Sequence, residues 1–141
     1  METLWNGPVE PGWNPDLLSP LDLAFVGDCV YELLVREYLV EKANRPTADL
    51  NAAKVRFVNA EAQEDAINLL MDSLTDGEAA VFRRGRNAHT ARVPKHASVA
   101  TYHAATGLEA LFGWLYLKGN IARLRELFAQ IADRQTNGES L

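Results

Sequence analysis

Two carboxylates in this chain stand where a carboxylate is costly. At 100° per residue, Asp28 shares a helical face with Leu21, Ala24, Val35 and Leu39, an otherwise apolar stripe. Glu109 repeats the arrangement, with Tyr102, Ala105, Gly113 and Tyr116 on its face. An acid taken out of water without a partner loses several kcal/mol or shifts its pKa, so it is usually paired, protonated or bound to a cation. Two such acids call for a shared cation; the plainer alternative is that each meets an arginine such as Arg36 or Arg56. Gly27 directly precedes Asp28, and a glycine inside a helix costs roughly 1 kcal/mol relative to alanine. Its presence there marks a close approach to the backbone.

The second chemical feature is a segregation of charge. The formal net charge is −5, from 14 basic and 19 acidic side chains. Yet no acidic residue lies between Glu78 and Glu109, while Arg83, Arg84, Arg86, Arg92 and Lys95 all fall in that window. A basic island in an acidic body focuses a field on one surface and attracts a polyanion despite a pI near 5.2. The alternative is a solvated loop. His89, His96 and His103 lie in or beside the window; the first two read as solvated or phosphate-facing, and His103 as a helix-surface residue. Other common chemistries lack their residues, because no CxxC, HExxH, GxxxxGKS, GxGxxG or ExxH pattern and no adjacent His-Asp pair occurs.

Helices must position these groups. Ser19 is a favoured N-cap, Pro20 fits the first turn and Asp22 adds an acid there, so a helix is predicted from Ser19 to about Ala43. Its apolar residues, among them Phe25, Val30, Leu33, Leu34 and Leu39, point around most of the circumference, which predicts a central, buried helix at the core of the fold. Further helices are predicted from Thr47, from Asn59 or Ala60, after Thr75 to near Gly85, from Ser98 through Glu109 to Lys118, and from Asn120 to about Arg134. The stretch RRGRNAHTARVPKH reads as a loop of about ten residues around its Gly, Asn and Pro. No strand alternation or internal repeat stands out, so the fold class is all-α. Residues 1–18 hold three prolines and two glycines and read as an irregular arm, pinned by Trp5 and Trp13. Residues 19–134 form one domain, and 135–141 a frayed tail.

Composition agrees with a single globular domain. The 141 residues are 48% hydrophobic and 23% charged, which excludes disordered, collagenous and disulfide-scaffold classes. The lone Cys29 forms no internal disulfide and reads as a small buried side chain in a reducing compartment, hence the cytoplasm. The N-terminus lacks the features of a signal peptide, and the longest apolar run, Ala110 to Leu117, is too short to span a bilayer, so no membrane association is expected. A central helix apolar nearly all round cannot be covered by five short neighbours, which predicts a twofold homodimer.

At this point the residues resemble a family. LAFVGDCVYELLVREYL resembles the signature helix of ribonuclease III, and TGLEALFGWLYL resembles that family's second acidic motif. RRGRNAHTARVPKHASVATYHAATGLEALFGWLYL is similar to the short bacterial form of the family, which lacks a separate double-stranded-RNA-binding domain, and the likeness spans about residues 17–133. The resemblance implies a homodimeric endoribonuclease of double-stranded RNA that leaves 5′-phosphate and 3′-hydroxyl ends, with large-subunit (23S) ribosomal RNA precursor as substrate. It implies Asp28 and Glu109 as ligands of a catalytic Mg²⁺, for which Mn²⁺ substitutes; RNA contact is expected from the basic window itself, Arg83, Arg84, Arg86, Arg92 and Lys95, since guanidinium forks suit phosphates. Against full-length ribonuclease III, two expected acids are replaced, by Ala24 and Thr106. Glu32 stands one turn from Asp28 and is either a helper or a surface acid pairing Arg36. The missing acids motivate a rival reading, a catalytically silent RNA-binding protein of the same fold on ribosomal particles. A helical protein-interaction domain without RNA would leave the acid-free basic window unexplained.

Overall fold

Ser19 closes the irregular N-terminal stretch: its side-chain oxygen accepts from the Asp22 backbone N–H at 3.1 Å, with Pro20 in the first turn. In a computed structural model that describes residues 2–88 and 98–138, this cap opens helix α1 (Pro20–Lys42). Then come α2 (Thr47–Val58), α3 (Ala60–Leu70), α4 (Asp76–Arg86), α5 (Val99–Leu117) and α6 (Ile121–Gly138), with no strand among the described residues. Asn59 serves two helices at once: its Nδ2 donates to the Val55 carbonyl at the end of α2, and its Oδ1 accepts from Ala62 at the start of α3. Thr75 and Glu78 form a reciprocal capping box for α4. Gly119, at φ +76°, takes the left-handed turn that ends α5 and lets the Asn120 N–H reach the Leu115 carbonyl.

Three boundaries differ from expectation. A 3-10 turn, Met71–Ser73, follows α3, and another, Pro15–Leu17, interrupts the arm. Helix α6 continues to Gly138, four residues past Arg134, because Gln135, Thr136 and Asn137 include no proline or glycine to stop propagation. Most of the predicted loop, residues 89–97, lies outside the described residues, and with it His89, Arg92, Lys95 and His96.

The central helix is α5, in place of α1. It packs against α1, α3 and α4, and buries Ala104, Leu108, Leu111, Phe112 and Leu115. Helix α1 gives the core Tyr31, Val35 and Leu39 but leaves a side open: Phe25 is 82% exposed and Leu33 51%. Cys29 is on that open side, exposed, against the expectation of a buried thiol. The backbones of α1 and α5 touch where the glycines are. A Cβ on Gly27 would run into the Glu109 carbonyl oxygen, and one on Gly113 into that of Leu23. The glycine before Asp28 thus brings the Asp28 turn of α1 against the Glu109 turn of α5.

Two polar clusters fix the periphery. Buried Glu78 receives two hydrogen bonds from Arg123, Nε to Oε2 and Nη2 to Oε1, both 2.9 Å, tying the start of α4 to α6. Burial pushes the Glu78 carboxyl up, but Arg123 and the Thr75 cap outweigh it and hold the group below its usual range. The arm is held by Asp16, which accepts from Trp114 Nε1 at 2.7 Å and Lys118 Nζ at 3.1 Å. The Leu4 N–H donates to the Tyr116 hydroxyl. Of the two expected anchors, Trp5 is 70% and Trp13 41% exposed, so neither is sunk into the core. The pinning tryptophan is Trp114, whose indole N–H has its partner in the arm.

Candidate carboxylate site and basic helix end

Asp28 and Glu109, 81 residues apart in the chain, meet across the α1–α5 contact, where Gly27 lies against the Glu109 backbone, and their carboxyl groups are near enough to act on each other electrostatically. Asp28 is exposed, contrary to the expectation of burial. Its neighbours on the stripe, Ala24, Val35 and Leu39, are covered by other helices, whereas Asp28 and Leu21 fall at the edge, and Asp28 lines an apolar groove of about 880 Å³. Glu109 is the inner, half-buried member. Its carboxyl is pushed up to about 8, first by burial, then by the Asp28 charge and the hydrogen bond to it, with a hydrogen bond from Gln63 pulling the other way. Burial beside Asp28 therefore favours the protonated form of Glu109 up to about neutral pH.

The arginine alternative finds no support at Arg36, which pairs with Glu32 at 3.0 Å. Glu32 also lies 3.8 Å from Lys54, so it behaves as the surface acid of the two readings. The positions of the two absent family acids are likewise occupied. Ala24 packs in a small apolar cluster with Leu23, Val81 and Ala110. Thr106 is buried and donates to the Tyr102 carbonyl of its own helix at 3.0 Å.

Sequence reasoning missed two neighbours of Glu109. Gln63 of α3 is 3% exposed, its Nε2 donates to the Val58 carbonyl at 3.4 Å, and its carboxamide acts to lower the Glu109 carboxyl. Its signal was present, since Gln63, Ala66, Ile67 and Leu70 share the buried stripe of α3, and a glutamine there needs a polar partner. Tyr31 lies buried with its hydroxyl unpartnered, and reads from sequence as an ordinary core aromatic. Burial, then the Glu109 charge, push its phenol up, so it stays a neutral hydroxyl.

This donor set fits Mg²⁺ or Mn²⁺. Two carboxylates brought together across the α1–α5 contact are hard oxygen donors, the ligand type these cations take. Among the described residues no group of three or more His, Cys, Asp or Glu could hold a metal. Two carboxylates suit Mg²⁺, which keeps several waters and takes substrate phosphates as its other ligands.

The basic residues that are described sit at the C-terminal end of α4, where cations also suit the helix dipole. Arg83, Arg84 and Arg86 are exposed. Arg84 donates to the Leu18 carbonyl at 3.4 Å, and Arg86 lies 5.4 Å over the Phe82 ring. Gly85, between them, lies against Gly107 and Ala110, so this end of α4 packs beside the turn of α5 that carries Glu109. His103 is half-buried beside Tyr102. No helix among the described residues is long and apolar enough to cross a membrane.

Comparison with known proteins matches these features. Residues 21–120 match the ribonuclease III domain, a span that includes both acids and the α4 arginines. A Mini-ribonuclease 3 of Symbiobacterium thermophilum is 45% identical over 126 residues, covering 89% of this chain and 97% of that one. The Mini-ribonuclease 3 of a Synechocystis species is 41% identical over 130 residues, covering 91% and 89%. A crystal structure of a Fusobacterium nucleatum protein superposes with a TM-score of 0.77 at 27% identity, over 84% of this chain and 95% of that one. The chain therefore belongs to the ribonuclease III family, in its Mini-ribonuclease 3 group, and is an endoribonuclease of that type.

Proposed function

We propose that this endoribonuclease cuts double-stranded RNA with Asp28 and Glu109 as ligands of a Mg²⁺ ion, which Mn²⁺ can replace, and that it matures large-subunit ribosomal RNA precursor in the cytoplasm. The observation that carries the reading is the meeting of the two carboxyl groups across a glycine-lined helix contact. When bound there, the ion supplies an activated water and neutralises charge on the scissile phosphate and leaving oxygen, giving 5′-phosphate and 3′-hydroxyl ends. The chain's own part is to release the Glu109 proton, hold the Asp28 and Glu109 carboxylates together at the α1–α5 contact, and bring RNA phosphates to the α4 end. The test is incubation of purified protein with a perfect RNA duplex and Mg²⁺. Binding without cutting would support the silent RNA-binding protein instead.

Duplex RNA presents a deep, narrow major groove, so contact falls on phosphates and 2′-hydroxyls before bases. The forks of Arg83, Arg84 and Arg86 suit bidentate phosphate contact, and the reading extends to Arg92 and Lys95. Each arginine on a phosphate adds up to about 0.9 to the slope of log affinity against log salt. Replacing Arg83, Arg84 and Arg86 by alanine is expected to flatten that slope and weaken all duplexes alike. An unchanged slope in filter binding would place these arginines in solvent.

The open side of α1 supports a homodimer. Phe25, Leu33 and Cys29 line the groove that Leu4, Tyr116 and Ile121 wall on its other side, and an apolar surface of this kind is normally covered. A second copy presents the same helix and suits a twofold contact, matching the two strands of a duplex. Light scattering at micromolar concentration is expected to give about twice the 15.6 kDa of one chain; a monomer mass would refute the dimer.

A further inference from the structure

We propose that His103 is a further RNA-binding residue, its imidazole donating to a backbone phosphate of the duplex drawn to the basic end of α4. The inference rests on the reading above, in which that helix end carries the RNA contact, and adds to it a residue from α5. Helix α5 is a core helix, and between Thr101 and Gly113 every residue is buried except Tyr102, His103 and Glu109. The opening at Glu109 belongs to the carboxylate site. The opening at Tyr102 and His103 lies nearer the start of the helix and has no part in that site.

The packing of α4 on α5 settles where His103 stands. The two helices run antiparallel, with Gly77 near the start of α4 against Trp114 and Gly85 at its end against Gly107 and Ala110. Positions 103, 107, 110 and 114 recur every three or four residues and so form one stripe of α5. His103 is the next member of that stripe before Gly107, about 6 Å further along the axis. At that level α4 has already ended at Arg86, with Asn87 as its cap, so the stripe that α4 covers elsewhere emerges from beneath it at His103. Arg86 marks the same corner. Its guanidinium lies 5.4 Å over the Phe82 ring, and a Cβ on Gly107 would strike that ring.

The imidazole is uncommitted. It lies beside the Tyr102 ring, centroids 6.0 Å apart, and its nitrogens have no hydrogen-bond or ion-pair partner among the described residues. No acid stands in the first turn of α5. The carboxylate nearest that turn, Glu64 of α3, accepts from the Thr101 hydroxyl at 3.1 Å, on the opposite side of the helix from His103. Neutral or protonated, an imidazole has at least one N–H to donate. A half-buried ring has few rotamers to lose, so meeting a phosphate oxygen costs it little entropy.

His103→Arg and His103→Phe bracket the role. The first fixes a positive charge at the contact; the second keeps a ring beside Tyr102 and removes both nitrogens. In filter binding with a perfect RNA duplex, His103→Arg is expected to steepen the slope of log affinity against log salt by up to about 0.9. His103→Phe is expected to weaken binding about 3- to 10-fold, the worth of one hydrogen bond. In Mg²⁺ it should raise the KM for duplex cleavage by the same factor, with kcat within about twofold of wild type. Thermal unfolding without RNA should match wild type for both, and if His103→Phe does not fold, His103→Gln with its neutral amide carries the comparison. A side chain that only packs would leave the His103→Arg slope at the wild-type value, and that result would overturn the proposal. A fall in kcat at unchanged KM would overturn it too, by placing His103 in the chemistry. Alanine at Arg83, Arg84 and Arg86, measured alongside, separates the two levels. If that triple variant keeps the wild-type slope, the helix-end reading fails; if it flattens the slope while both His103 variants bind as wild type, only the role of His103 fails.

Discussion

Asp28→Asn and Glu109→Gln are each expected to lower duplex RNA cleavage by roughly 10³-fold or more in Mg²⁺, while duplex binding and dimer mass stay near wild type. The asymmetry follows from where the groups sit. The carboxyls face each other on the α1–α5 contact, and the basic end of α4 supplies separate side chains for the phosphates. Removing one negative oxygen from a two-carboxylate site leaves a single charged ligand, too few to hold a hard cation against water. Neither substitution changes side-chain volume much, so the backbone contact at Gly27 and Gly113 should persist. Cleavage assays with native gels of the same preparations check both halves. Residual cutting within tenfold of wild type would remove that residue from the site; loss of binding together with cutting would mean that the acids support RNA contact or folding instead.

The absent acids bear on how this site should be regarded. Ala24 is packed against Val81 and Ala110, and Thr106 directs its hydroxyl to its own helix. A carboxylate at Ala24 would enter an apolar cluster, so the surrounding core is built for alanine. The two-carboxylate site is accordingly self-consistent in packing, and among the described residues burial and Asp28 push the Glu109 carboxyl up with no cation drawing it down.

Much of this is readable in sequence because it depends on local chemistry. Caps at Ser19, Asn59, Thr75 and Ser98 act within four residues, so the helix starts they predict fall within a residue of those observed. The glycine before Asp28 is also legible, since a helix tolerates that cost only where something approaches. What fails depends on neighbours that the chain does not encode locally. A helical wheel places Asp28 on an apolar stripe but does not say which other helices cover each part of it, so an acid at the groove edge reads as buried. Cys29 and the centrality of α1 fail for the same reason. Trp5 and Trp13 read as anchors on size alone, whereas anchoring requires a polar partner at the right distance, which Asp16 offers to Trp114. Gln63 escapes notice because a single polar residue on an amphipathic helix is commonplace until its stripe is compared with Ala66, Ile67 and Leu70.

Without metal, the protein is expected to lose stability as pH rises, and Glu109 is the reason. Its folded-state carboxyl titrates at about 8, against an ordinary value of 4.5. Between those values the folded state binds more proton than the unfolded state, so stability falls with increasing pH. The contribution is fully present below about pH 4.5 and is lost as pH passes through 8. Its size is roughly 3 kcal/mol or more, since a tenfold change in proton affinity corresponds to about 1.4 kcal/mol. Urea unfolding in EDTA at about pH 5.5, 7 and 8.5 measures the trend, with Glu109→Gln as the reference that cancels every other titrating group. The variant keeps an uncharged hydrogen-bonding group beside Asp28, so its stability should vary much less over that range and exceed wild type at the highest pH. Saturating Mn²⁺ should reverse the wild-type trend, because the ion requires the ionised carboxylate and its binding releases the proton. A structural salt bridge predicts the opposite at every step: a carboxylate paired with an arginine gains stability above its unfolded pKa, and neutralising it would strand a buried cation at a cost of roughly 3 to 5 kcal/mol. Parallel pH profiles for wild type and Glu109→Gln in EDTA would show that Glu109 does not hold the proton that its burial beside Asp28 imposes.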